Sequence, residues 1–177
     1  MTNVLDDYMV DSRLSLLDKT RIQAQVLVPL LRSLRAELGH EKADAIARQA
    51  LRGWSQQLFA EVGRSVDGSP QRKWAAMYTA LADFTLRDVT VEMIRRDETA
   101  LEFDITQCRF AAFFRALGEP ELGALLVCAA DFDIVAAGGN EVSLTREQTL
   151  MQGAPSCTFR YTFAPRSSPA AAAPERN

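Results

Sequence analysis

The chain has little of what staples, coordinates or crosses. Among 177 residues there are three cysteines and one histidine. An odd cysteine count with no C-x-x-C pair argues against a disulfide framework and for a reducing, cytoplasmic setting. His40 stands far in sequence from Cys108, Cys128 and Cys157, so a structural zinc site has no ligand set and no metal is called for. A Ser-His-Asp device would have only that histidine to draw on, and no nucleophile elbow is present. The apolar runs fall well short of the roughly 18 residues that a membrane span needs. The first residues, with Asp6, Asp7 and Asp11, lack the basic-then-apolar pattern of a secretory signal. Net charge is -3 and no Lys/Arg run interleaves with aromatics, which removes the basis for nucleic-acid binding.

What is present suits one domain. The apolar fraction is 47%, ordinary for a chain that buries a core. The sequence predicts a flexible acidic segment over 1–12, a single domain over 13–164 and a disordered Pro/Ala-rich tail over 165–177. A first helix runs from Leu14 to Leu38, with Ile22, Val26, Leu30, Leu34 and Leu38 as its apolar stripe and a kink expected at Pro29. A second spans Glu41 to Val62 with Ile46, Ala50, Trp54, Leu58 and Val62 on one face. Ser69-Pro70 opens a third, carrying Trp74, Met77, Tyr78, Leu81 and Phe84. Alternation then gives strands at Val89–Met93 and Leu101–Gln107, two helices after Cys108 and Pro120, and strands at Val142–Leu150 and Cys157–Phe163. The expected class is α+β: an N-terminal three-helix half packed on a mostly antiparallel sheet with an inserted helical pair.

Several positions admit two readings. Cys108 sits where a strand becomes a helix, and helix N–H groups there favour thiolate; a small buried hydrophobe is the alternative. Asp131 follows Leu-Leu-Val-Cys-Ala-Ala, where a carboxylate needs a partner or a job and a raised pKa would suit a general base. Asp133 reads more as the point where the helix meets solvent, and Cys128 as core. On pattern Cys157 shares a core face with Phe159, Tyr161 and Phe163. Arg146 and Arg160 read either as forks for a substrate carboxylate or as solvent-facing strand arginines. A metal site built from Cys108, Cys128, Cys157 and Asp131 is a weaker third reading.

Taken in order, Phe103-Asp104-Ile105-Thr106-Gln107-Cys108, then Ala112-Phe113-Phe114-Arg115-Ala116-Leu117-Gly118-Glu119-Pro120-Glu121-Leu122, then Cys128-Ala129-Ala130-Asp131, resemble the L-2-amino-thiazoline-4-carboxylic acid hydrolase family. Thr145 to Leu150, followed by Gly153, Cys157 and Phe159-Arg160-Tyr161, is similar to its closing signature, although Ser156 and Thr158 stand where a cysteine and an aspartate are common. The resemblance implies water addition at the C2 carbon of a small cyclic amidine, without a cofactor. It implies Cys108 as nucleophile or oxyanion-side group, Asp131 as general base, Cys157 as supporting thiol, and Arg146 or Arg160 as anion clamp. The expected partner is a small-molecule substrate; a homo-oligomer is compatible with this reading. The competing function is a non-catalytic small-molecule-binding module on the same fold.

Overall fold

The computed structural model describes residues 14–64, 66–136 and 139–164. The segments expected to be flexible at 1–12 and disordered at 165–177 lie outside the described residues. So do the side chains of Trp54, Leu58 and Val62 and those of Met77, Leu81 and Phe84.

Helix α1 (Leu16–Leu38) starts on Ser15, whose hydroxyl accepts the Asp18 N–H at 3.0 Å, and ends at Gly39 with φ of +79°, a left-handed value that glycine adopts without strain. Pro29 is accommodated inside this single helix. The buried face is Leu17, Ala24, Val28, Leu31 and Arg35, whereas Ile22, Val26, Leu30 and Leu38 of the expected stripe are exposed. The reason is geometric. Every-fourth residues advance about 400°, so such a row precesses around the helix, while a mixed three-and-four spacing stays on one side. Helix α2 (His40–Arg64) returns along α1, and α3 (Pro70–Thr85) follows. Ile46, expected in the core, is exposed in α2.

A four-stranded antiparallel sheet is built from β1 (Val89–Arg96), β2 (Ala100–Cys108), β3 (Val142–Thr145) and β4 (Cys157–Phe163), in the order β1-β2-β4-β3. The fold is therefore α+β, with N-terminal helices packed on an antiparallel sheet. On one face Leu101, Phe103, Cys157, Phe159, Tyr161 and Val142 join Trp74 of α3 in a core cluster. Phe103 and Phe159 stack with ring centroids 4.9 Å apart. Edge strand β1 carries irregularities at Thr90/Val91 and Met93/Arg95, and Met93, although it pairs with Phe103 on the same face as Val91, is left exposed at the sheet edge. Strand β3 stops at Thr145 instead of Leu150. Residues 146–149 run on as an open segment into a 3-10 turn, Leu150–Gln152.

Between β2 and β3 lie α4 (Arg109–Ala116), the short α5 (Pro120–Gly123), a π turn (Ala124–Cys128) and α6 (Ala130–Ala136). The expected second helix is thus interrupted. Phe114 and Leu122 have no exposed surface and pack with Met151, Val28 and Leu31 in a second cluster. Gly123 permits this approach: a Cβ there would lie 2.5 Å from the Met151 sulfur and 2.6 Å from the Phe114 ring. Charge fixes the helices as well. Arg35 donates to Asp44 at 2.8 and 2.7 Å and to Glu121 at 3.3 Å, and Arg32 to Glu119 at 2.5 Å. Both carboxylates of the Glu119-Pro120-Glu121 motif therefore anchor α1.

Candidate functional site

Asp131 and Arg146 are brought together by two local irregularities. In the π turn the Ala129 N–H reaches back to the Ala124 carbonyl, and the Phe132 N–H then bonds the Ala129 carbonyl. The Cys128 carbonyl is thereby left for a side chain, and Arg146 Nη2 donates to it at 3.0 Å. Such turns recur at functional sites because they release backbone groups in this way. Arg146 comes from the segment that continues where β3 has ended. Its Nη1 donates to Asp131 Oδ2, and its guanidinium lies 4.9 Å from the Phe132 ring centre and 5.3 Å from that of Phe159.

The Arg146 side chain is 7% exposed and that of Asp131 31%. Burial nevertheless dominates the titration of Asp131, pushing its carboxyl up to about 6 although Arg146 pulls the other way. The side chain is partly exposed, yet its surroundings are largely apolar. Asp131 is reachable by water yet costly to ionise. Desolvation also raises the nearby phenols, Tyr78 to about 12 and Tyr161 further, with the Asp131 charge adding to each.

All three thiols lie within electrostatic reach of this pair. Cys108 caps α4, accepting the Ala111 N–H at 3.4 Å. Its pKa is raised, not lowered: burial outweighs the two helix N–H groups, and Asp131 and Asp88 push the same way. The thiolate expected from the helix N-terminus is therefore corrected to a thiol. Cys128 is pushed up to about 12 by burial. Cys157, also raised by burial, accepts the Leu150 N–H at 3.2 Å from within the sheet core. Among the described residues, no three Asp, Glu, His or Cys side chains are grouped to hold a metal ion.

Arg160 is not part of this cluster. It points to the opposite face of the sheet, 2.7 Å from Asp104 and 3.9 Å from Glu102, and donates to the Phe103 carbonyl at 2.9 Å. Alternation along β4 requires this, because Phe159 and Tyr161 fill the core face. Asp133 is buried and receives Arg48 at 2.8 and 2.7 Å, tying α6 to α2. It is an anchor, not a helix end at solvent. Ser156 and Thr158 both close the loop that carries Arg146: Gln148 Nε2 donates to Ser156 at 3.1 Å and the Glu147 N–H to Thr158 at 3.2 Å.

Sequence reasoning placed Trp74 and Tyr78 in the core without giving them a role at the site. Their i, i+4 spacing was the available signal. Trp74 packs on Tyr78, Tyr161 and Phe163 at 5.1, 5.0 and 5.3 Å, and its buried Nε1 has no hydrogen-bond partner among the described residues. Asp88 was missed altogether. It is 2% exposed, pairs with Arg109 at 2.9 Å, and has a second oxygen without a hydrogen-bond partner among the described residues.

Residues 19–161 match the family described as L-2-amino-thiazoline-4-carboxylic acid hydrolase. The chain belongs to that family. The match runs from within α1 to within β4 and takes in the π turn and the Arg146 segment, and the family's name implies hydrolase activity. No curated protein matches the sequence. Among solved structures, the fold is similar to the phenol-responsive sensory domain of the transcription activator PoxR with phenol. The TM-score is 0.50 and the identity 15%, over 77% of this chain and 72% of that one. At that identity the likeness shows the fold. Among the described residues, no helix is long and apolar enough to cross a membrane.

Proposed function

We propose that this family member hydrolyses a small carboxylated cyclic amidine of the thiazoline type, with Asp131 as the general base acting on water. The observation that carries this reading is a carboxyl with a pKa of about 6, on a partly exposed side chain and oriented by Arg146. A base is most effective when its pKa lies near the working pH. Asp131 takes a proton from water as the oxygen bonds to C2, and the C2=N π bond opens onto nitrogen, which receives that proton. The tetrahedral centre then collapses to a carbonyl: Asp131 takes the second proton from its hydroxyl and passes it to the departing sulfur or nitrogen as the ring C–S or C–N bond breaks.

Three raised thiols favour direct attack by water over a covalent intermediate, since the thiolate is the nucleophile. Cys108 and Cys157 act as neutral S–H groups lining the reaction space. Arg146 positions Asp131 first. Its remaining N–H groups also make it the cation available to a substrate carboxylate, a role that the opposite-face placement takes away from Arg160. The test is turnover of L-2-amino-thiazoline-4-carboxylate by the parent, by Cys108→Ser and by Asp131→Asn. The proposal expects a modest loss for the serine variant, about 100-fold loss or more for asparagine, and no protein adduct by intact mass. A dead serine variant with a trapped adduct would establish covalent chemistry instead.

The second reading is a binding module without turnover. It draws on the fold shared with a small-molecule sensory domain and on the buried aromatic cluster of Trp74, Tyr78, Phe103, Phe159 and Tyr161, whose indole N–H has no partner among the described residues. Heat of binding with no product formed would favour it.

A further inference from the structure

Helix α1 is apolar on two sides. One faces the core; the other presents Ile22, Val26 and Leu30, exposed by 54%, 67% and 50%. At about 100° per residue, Val26 and Leu30 fall opposite the buried Val28–Arg35 side. Lys19 and Glu37 lie at nearly the same azimuth, one toward each end of the helix. A single exposed leucine needs no explanation, but a continuous ridge on one helix marks an interaction surface.

We propose that this ridge is the interface of a homodimer in which two α1 helices pack antiparallel about a two-fold axis. The occupant is a second copy because the ridge is self-complementary in that register. Val26 meets the partner's Leu30 and Lys19 meets the partner's Glu37, while the symmetry repeats each contact and Ile22 widens the apolar strip along its edge. A parallel pair would set Lys19 against the partner's Lys19 and Glu37 against the partner's Glu37. A crossing angle near 20° keeps both ends in reach. From Lys19 to Glu37 the helix is about 27 Å long, and pairing it buries on the order of 1,000 Å² in total, the lower limit for a specific interface. The end charges then fix orientation more than affinity.

Light scattering on the full chain at about 100 μM should give twice the 19.6 kDa monomer mass. Val26→Glu should return the monomer with an unchanged circular dichroism spectrum, since the position is 67% exposed. Glu37→Lys should weaken self-association about 10-fold, and the double variant Lys19→Glu/Glu37→Lys should restore it. A monomeric parent overturns the proposal, the chain's own first 13 residues then being the alternative cover for the ridge. A dimer indifferent to Val26→Glu moves the interface elsewhere. A double variant that stays weak refutes the antiparallel register.

Discussion

Replacing Arg146 by methionine removes the only cation hydrogen-bonded to Asp131 among the described residues while keeping an apolar stem between Phe132 and Phe159. Breaking a buried pair from one side costs about 3–5 kcal/mol, because a charge is left without its partner. The cost must depend on pH. Burial raises the Asp131 carboxyl from 3.8 to about 6, so folding takes up a proton there. In the parent this contribution favours the folded state at low pH and is lost as pH rises through 6. Without Arg146 the carboxyl rises further. At pH 8 the variant must hold an unpaired carboxylate or carry a proton against the solvent, and should lose about 4 kcal/mol. At pH 5 Asp131 is already neutral in both proteins. Only one charge-assisted hydrogen bond and ring contacts are then forfeited, about 2 kcal/mol. Urea unfolding of both proteins at the two pH values measures the difference directly. A penalty that is equal at pH 5 and pH 8, or larger at pH 5, would refute the account of Asp131 as a desolvated partner of Arg146.

Three further outcomes follow from packing. Gly123→Ala should cost about 1–3 kcal/mol by urea unfolding, because its Cβ would meet Met151 and Phe114 at 2.5 and 2.6 Å. Phe159→Ala should cost about 3–5 kcal/mol and Thr158→Ala, on the other face, far less; equal losses would reverse the face assignment. Trp74→Phe deletes the unpartnered indole N–H, so it should weaken binding of L-2-amino-thiazoline-4-carboxylate by about 3–10-fold in calorimetry, and unchanged affinity would remove that donor from the site.

The class of fold was legible because period-two alternation over Leu101–Gln107 and Cys157–Phe163 and the turn residues between them are local signals. The outward ridge of α1 was misassigned because an apolar residue at every fourth place resembles a core face, whereas the true face includes Ala24 and Arg35, small and charged residues that hydrophobicity undervalues. The π turn has no sequence marker: Ala124–Cys128 reads as ordinary helix, and only the hydrogen bonds show the carbonyl released to Arg146. Asp131 was legible as a carboxylate in apolar company. Its partner was not, since Arg146 and Arg160 look alike in sequence: the parity of β4 turns Arg160 away, while Arg146 is placed by the open segment that follows β3. Cys108 admitted two readings, a thiolate at a helix N-terminus or a small buried group, and sequence could not weigh them. Burial and two neighbouring carboxylates, all of them tertiary, reverse the sign of its shift.

The central claim is that Asp131 supplies the base. The pH dependence of turnover on L-2-amino-thiazoline-4-carboxylate tests it most directly. The account predicts a rate that rises with pH, is half-maximal near 6 and is level above 7, with Asp131→Asn losing that limb together with about 100-fold or more of the rate. A rate that climbs only above pH 9 would assign the chemistry to a thiolate, and an Asp131→Asn variant that matches the parent would contradict the claim.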